Sequence, residues 1–422
     1  MTEGKQKSVD PPLKGVKAID FGWAAVVPWA MKYLGDWGAT VVRIETHARP
    51  DVMRLMSPFK DGISGINNST WWPHTNSSKL GVSLDLTNEK GKEIGWRLIK
   101  WADIMASGYA PGVMKRWGFD YESVVKVKPD IIYHCSSQMG QYGPRSGLAA
   151  WGYQSSALAG FSNLVGWPDR EPDLPQGAYS DFICPPIEAG TIIAALDYRR
   201  RTGKGVYIDQ SQMETAANML TPSIMDYLVN GRVLIRNGNR LAYAAPHGAY
   251  PCCGDDRWVA IAVFTDDEWS TLCQVMGEPK LAKDPKFATL TARKANEDEL
   301  DKLIADWTIP YIAEQLEILL QNVGIAAHVV NDSEGVFNDL QLKHRESLRR
   351  LKHSVIGVHP YPFEGFRMSK TPDSQFAAPA IGEHNEYVFK ELLHMTDDEI
   401  ADALIAGGIT TDADQVEFAS WL

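Results

Sequence analysis

The chain has 422 residues, 44% hydrophobic and 23% charged, enough apolar material for two domains or one large α/β domain with a second lobe; a small stapled scaffold and a mainly disordered chain are excluded. The 42 Lys and Arg against 53 Asp and Glu leave a formal charge of −11, which argues against a phosphate-backbone binder and hence against a nucleic-acid partner. Five scattered cysteines (Cys135, Cys184, Cys252, Cys253, Cys273) form no C-x-x-C pair, so they point to neither a metal cluster nor a disulfide framework, and they suit a cytoplasmic location.

The opening residues, MTEGKQKSVDPP, contain no apolar run of the secretory type. Residues 16–21 read as a short strand, 28–37 as a helix and 40–44 as a second strand, together a β-α-β unit. A second unit follows, with a strand at 81–86, an amphipathic helix at 89–101 and a strand at 131–136. Strands and helices alternating at this spacing predict a parallel sheet with right-handed crossovers. Pro185 and Pro186 are expected to open a long helix over 187–201, because proline suits a first helical turn. After the turn Thr202-Gly203-Lys204-Gly205, a strand at 206–210 and a helix at 214–229 complete this region.

Beyond Arg232 the sequence becomes rich in Gly, Asn, Ala and Pro as far as Pro251, then gives a strand at 258–263 and helices at 268–276, 298–307 and 312–320. This predicts a large domain over 1–225, a smaller α/β domain with its linkers over 226–335, and a segment over 336–422 that returns to the large domain. The longest apolar runs, at 23–31 and 190–196, fall short of the roughly 20 residues a membrane span requires, so no membrane partner is expected. Of the 14 tryptophans, the Trp71-Trp72 pair with Trp23, Trp29 and Trp37 admits two readings: ordinary core and surface aromatics, or the wall of a pocket for a bulky apolar ligand.

Several chemistries lack their motif. The turn after the first strand reads Asp20-Phe21-Gly22-Trp23-Ala24-Ala25, without the glycine fingerprint of a nicotinamide dehydrogenase. No P-loop, no H-E-x-x-H and no G-x-S-x-G occurs. What remains is Asp181, just ahead of the long helix. It either caps that helix, as aspartate often does, or serves as a carboxylate nucleophile toward an acyl carbon, with the helix N-terminus favouring the anions that form.

Taken in order, these segments resemble the class III coenzyme A transferase family, which includes the α-methylacyl-CoA racemases. The likeness runs from about Leu13 to about Leu393. It rests on Leu13-Lys14-Gly15-Val16 and Ile19-Asp20-Phe21; on Leu34-Gly35-Asp36-Trp37-Gly38-Ala39 with Val41-Val42-Arg43-Ile44-Glu45; and on Asn76-Ser77-Ser78-Lys79 with Ser83-Leu84-Asp85-Leu86. It continues through Pro111-Gly112, Lys115-Arg116-Trp117-Gly118, Gly140-Gln141-Tyr142-Gly143-Pro144, Arg200-Arg201-Thr202-Gly203-Lys204-Gly205 and Pro379-Ala380-Ile381-Gly382-Glu383-His384.

The resemblance implies a Rossmann-like parallel-sheet domain, a smaller α/β domain and an interlocked dimer, of identical or related chains. It implies transfer of coenzyme A from an acyl-CoA such as succinyl-CoA to a carboxylic acid, through aspartyl anhydride and aspartyl-CoA intermediates, without ATP or metal. Asp181 takes the position of the catalytic aspartate. Arg116, with Trp117 beside it, matches the arginine that meets the nucleotide end of CoA, and Arg43 and Lys79 are expected as further phosphate partners. Val26 lies where many relatives carry a Gln-Ala-Gly-Pro stretch, so a contact with the CoA tail is altered there. Gln138 and His247 are expected near the substrate. The racemase branch adds a histidine in a Gly-His-Asp motif, where this chain reads Trp151-Gly152-Tyr153-Gln154; without that second base racemisation is the weaker reading. A third reading is a subunit that is silent or depends on a partner chain. The tryptophan content and the apolar loop residues suggest a bulky, aromatic or branched acceptor, and the overall pattern resembles the branch that activates benzylsuccinate with succinyl-CoA.

Overall fold

The computed structural model describes residues 9–175 and 177–415. The chain divides into two compact units. One takes the chain through Ser162, Leu174–Leu234 and the residues from Glu346 on; the other takes Asn163–Asp173 and Ile235–Arg345.

In the first unit β1 (Lys17–Phe21), β2 (Thr40–Glu45), β3 (Leu80–Ser83), β4 (Ile104–Ser107), β5 (Ile132–Ser137) and β6 (Val206–Ser211) form one sheet in the order β3-β2-β1-β4-β5-β6. Every neighbouring pair is parallel, which gives the predicted Rossmann-like architecture. The two faces follow from the period of two along a strand. Ala18 and Val41 meet Val27, Met31 and Leu34 of the helix Val26–Asp36 and Ile192 and Leu196 of the helix Tyr179–Thr202. One residue on, Ile19 and Val42 face the opposite layer, where the helix Glu89–Trp101 brings Ile94, Leu98 and Ile99. That helix starts where expected because the Asn88 side chain accepts the Lys90 N–H at 2.8 Å, a capping bond that satisfies an otherwise orphaned donor.

Three expectations are corrected. β4, in the middle of the sheet, has no predicted counterpart: its four residues, Ile-Met-Ala-Ser, are all buried and follow the preceding helix almost at once, so neither alternation nor a turn signal marks them. The long helix begins at Tyr179, so Pro185 and Pro186 lie inside it rather than at its start. The helix expected at 214–229 is two, Gln212–Met219 and Thr221–Asn230, with Pro222 in the first turn of the second.

The second unit has an antiparallel sheet of β7 (His247–Pro251), β8 (Trp258–Ala262) and β9 (Ala326–Val329). Val259, Ile261, Trp269, Leu272, Leu300, Ile304 and Leu316 form its core. A hairpin of β10 (Leu348–His353) and β11 (Gly357–Pro362) belongs to the first unit. Among the described residues no helix is long and apolar enough to cross a membrane.

Candidate active site

β1 has β2 on one side and β4 on the other, so the chain leaves the carboxyl ends of β1 and β4 in diverging directions. Such a switch point opens a crevice. Three cavities follow one another from it. An outer cavity of about 650 Å3 and a middle one of about 430 Å3 share Trp23, Gly108 and Ala110. The middle cavity and an aromatic one of about 590 Å3 share Ala24, Ala25, Trp151 and Asp181.

Asp181 therefore stands where the middle and aromatic cavities meet. It is the third residue of the helix Tyr179–Thr202, with its N–H donating to the Ala178 carbonyl at 2.9 Å. A second helix, Gly152–Ala159, starts against its carboxylate: a Cβ at Gly152 would lie 2.4 Å from Asp181 Oδ1, so only glycine leaves room there. Serines lock the two helix starts together. The Ser155 and Ser180 hydroxyls are 2.6 Å apart, and the Ser180 N–H donates to Ser156 Oγ at 2.9 Å. Asp181 Oδ1 is buried and has no hydrogen-bond partner. Burial pushes the carboxyl up to about 7. A carboxylate deprived of water and left unpaired is a stronger nucleophile than a solvated one, while helix N-termini favour its anionic form.

The aromatic cavity is built by Trp29 and Phe182, whose rings meet edge-on at 5.7 Å, together with Trp71, Trp151 and Tyr153. His74 lies 4.5 Å from Trp29, and burial holds its imidazole down to about 4, hence neutral. Among the described residues no Lys or Arg lines this cavity. The outer cavity differs: Arg49 and Arg116 both line it and both are exposed, Arg49 lying 5.2 Å over the Trp23 ring and Trp117 standing edge-on to Tyr109 at 4.9 Å.

An aromatic-edged cavity with two exposed arginines, Arg49 and Arg116, beside the carboxylates Glu45, Asp51 and Asp85, leads to a buried carboxylate, and comparison with known proteins decides the class. Residues 13–385 match the model of CoA-transferase family III. The chain belongs to this family. It is 30% identical over 398 residues to the succinyl-CoA–D-citramalate CoA-transferase of Chloroflexus aurantiacus, covering 92% of this chain and 96% of that one. It is likewise 30% identical to the succinate–glutarate CoA-transferase of Agrobacterium fabrum, over 90% of this chain and 96% of that one. Among solved structures, a CaiB/BaiF family protein from Brucella suis superposes with a TM-score of 0.84 at 28% identity, covering 91% of this chain and 100% of that one. The protein is an enzyme, a class III CoA-transferase.

Against that assignment the expected site residues divide. Arg116 and Trp117 lie together on the outer cavity, and Val26 and Gln138 lie on the middle one. Lys79 is wholly buried, its ammonium donating to Asp20 Oδ2, Pro28 O, Thr75 O and Asn76 Oδ1 at 2.6–3.2 Å. Its hydrogens are spent on the interior, so the expected phosphate contact is corrected to a structural one. Arg43 is 1% exposed and donates to Asp20 Oδ1 at 3.1 Å and Asp51 Oδ2 at 2.6 Å. Asp51 Oδ2 also accepts the Ala24 N–H at 3.0 Å, so Arg43 shapes the loop after β1 rather than offering a free cation. His247 lies in the second unit, on β7, where its Nδ1 donates to the Asn239 carbonyl.

Sequence reading missed Arg49, Gly152 and the serine cluster. Arg49 follows β2 by four residues, at the carboxyl end where α/β ligands bind, and that position was the available signal. Of the five tryptophans singled out, Trp23, Trp29 and Trp71 line cavities. Trp72 is instead buried beneath Arg54 at 3.6 Å, and Trp37 is stacked on Phe366 at 5.2 Å.

Proposed function

We propose that this enzyme moves coenzyme A from an acyl-CoA, succinyl-CoA being the first donor to test, to a bulky or aromatic carboxylic acid by way of Asp181. The observation that carries the reading is the position of Asp181 at the meeting of the middle and aromatic cavities. Arg49, Arg116 and Trp117 in the outer cavity suit the phosphates and adenine of CoA, and the middle cavity suits its uncharged arm. An aromatic wall with no Lys or Arg among the described residues favours an acyl group with an apolar body. The named succinyl-CoA enzymes among the relatives support the donor.

In this reading the Asp181 carboxylate attacks the thioester carbon, the C–S bond breaks, and CoA leaves as thiolate from an aspartyl anhydride. The thiolate attacks the aspartyl carbonyl of that anhydride and expels the donor acid, leaving an aspartyl-CoA thioester. The acceptor carboxylate attacks this thioester and releases CoA thiolate again. Attack of that thiolate on the acceptor's acyl carbon forms the new acyl-CoA and frees Asp181. The binding energy of the remote nucleotide holds the reacting atoms together throughout. Racemisation is disfavoured because the stretch where racemases place their histidine reads Trp151-Gly152-Tyr153-Gln154 and offers no histidine as a second base.

The test is peptide mass spectrometry after incubation with succinyl-CoA and hydroxylamine. A hydroxamate on the Asp181 peptide, absent in Asp181→Ala, is the expected result; turnover without any adduct on that peptide overturns the reading. We also propose a cytoplasmic, interlocked dimer. A related partner chain is the second reading, favoured by the altered 25–28 stretch and by relatives named as alpha and beta subunits of a succinyl-CoA–L-malate CoA-transferase. Adduct formation by the isolated chain excludes that reading.

A further inference from the structure

Among the described residues, the aromatic cavity has one titratable group besides Asp181 and the Tyr153 phenol: His74, on the helix Trp71–Asn76. Burial and the Lys32 charge keep its imidazole neutral, and among the described residues neither ring nitrogen has a hydrogen-bond partner. Nε2 is enclosed by protein, so Nδ1 is the nitrogen left with open surface. The ring meets Trp29 edge-on at 4.5 Å and Trp71 at 5.7 Å. The same two indoles meet Phe182, the residue after Asp181, at 5.7 and 6.5 Å. His74 and the start of the Asp181 helix thus flank one pair of rings on the wall of one cavity.

What this wall can hold depends on the far end of the acyl group. A monocarboxylic acyl chain ends in carbon, and the aromatic rings are enough for it. A dicarboxylic one, such as succinyl, carries a free carboxylate into the cavity, and a carboxylate taken out of water is costly unless a counter-charge meets it. Among the described residues no Lys or Arg is there to do so, and Asp181 is itself an acid. Thr70 and Tyr153 offer neutral hydroxyls. The imidazole is the group on this wall that can become cationic, by taking one proton from solvent. A carboxylate within hydrogen-bond reach favours that charged form, while burial alone opposes it.

We propose that His74 is the specificity-determining residue for a dicarboxylic acyl group: its ring takes up a proton on binding, and its Nδ1–H pairs with the free carboxylate of the acyl chain. This rests on the reading of Asp181 as nucleophile. Burial and Lys32 hold the free imidazole down to about 4, so at neutral pH the ring is uncharged before the ligand arrives. A group whose range rises on binding gives affinity that is greatest at low pH and is lost as pH climbs to the bound value. The elements packed against the helix Trp71–Asn76 bring Lys32 and Tyr33 of the helix Val26–Asp36, Arg54 of the helix Val52–Leu55, and His359 and Tyr361 of β11. The cavity adds Asp181 and Tyr153. Lys32 is the one whose charge acts on His74, and it is already paired with Asp36 and with Glu364. Arg54 is spent on Glu45 at 2.8 Å. An ionised Asp181 favours the imidazolium, so the test is made with that charge removed.

The test is calorimetric binding of succinyl-CoA and butanoyl-CoA, which differ by a carboxylate in place of a methyl group, to Asp181→Asn protein, which lacks the nucleophile. It runs from about pH 5.5 to about pH 8, in buffers of different ionisation enthalpy. The ratio of the succinyl-CoA Kd to the butanoyl-CoA Kd is expected to rise about tenfold or more across this range, and succinyl-CoA to take up as much as about one proton more near pH 6. His74→Phe, added to Asp181→Asn, keeps a ring between Trp29 and Trp71; His74→Gln keeps an amide that does not titrate. Both should abolish the slope and the extra proton, and weaken succinyl-CoA at pH 6 about tenfold relative to butanoyl-CoA. A histidine that only packs would move both ligands alike. A melting temperature for each variant separates loss of fold from loss of recognition. A ratio flat with pH, or a slope that persists in H74Q, overturns this proposal alone when the wild type still forms the Asp181 hydroxamate. Turnover without any Asp181 hydroxamate overturns the nucleophile reading and this proposal with it.

Discussion

The properties of Asp181 come from what it lacks. Its Oδ1 is buried without a donor, and the raised protonation range has burial as its cause. An acid whose folded-state range lies above its unfolded one binds more protons folded than unfolded between the two values, so folding stability falls as pH rises from about 4 to about 7. Above that range the ionised carboxylate destabilises the fold by something on the order of 1–3 kcal/mol, allowing for partial solvent screening. Asp181→Asn should therefore melt higher than the wild type at pH 8 and at about the same temperature at pH 4, with activity abolished. Equal melting temperatures at pH 8 would show that the carboxylate is solvated in the resting enzyme. Activity and stability then pull against each other at one side chain, since the ionised form that attacks is also the form that burial penalises.

The elements around Asp181 explain what was legible in the sequence and what was not. Strands β1, β2 and β5 and the helices at 89–101 and 26–36 follow from apolar spacing and capping signals, so the sheet and its helical layers could be read directly. β4 could not, because four buried residues with both faces covered carry no alternation. Asp181 was legible by its place ahead of a helix and by family resemblance, but its neighbours were not. Gly152 is far away in sequence and matters only for the side chain it lacks. Lys79 and Arg43 read as available cations because sequence shows a charge but not the buried carboxylates that occupy it. The prolines inside the Asp181 helix also mislead: neither has an N–H to give to the carbonyls of Asp181 and Phe182, so the helix tolerates them only by leaving those bonds unmade. The tight start of the helix Gly152–Ala159 carries its own prediction. Gly152→Ala puts a methyl on the carboxylate, so it should cut kcat at least about tenfold through misplacement of the nucleophile. The far-UV spectrum should stay unchanged, because a helix accepts alanine readily. Wild-type kcat in this variant would mean that the two helix starts move apart freely, against the serine contacts that join them.

For the whole molecule the decisive feature is apolar surface. The helix Thr221–Asn230 buries none of its residues, and Leu228 and Val229 are 67% and 72% exposed, with Ile224, Met225 and Tyr227 beside them. So continuous an apolar run rarely stays in contact with water, and a second copy of the chain is expected to cover it. Each copy also carries a formal charge of −11, so two copies repel at long range. An apolar contact between like-charged chains should tighten as salt screens that repulsion, the reverse of a contact held by ion pairs. Sedimentation of the pure protein at micromolar concentration is expected to show a dimer, retained or strengthened between roughly 50 and 500 mM salt. Leu228→Glu combined with Val229→Glu should give a monomer that melts lower. A monomeric wild type across that range, or a dimer that dissociates as salt rises, would show that this helix is not the joint and that ion pairs or a different chain supply it.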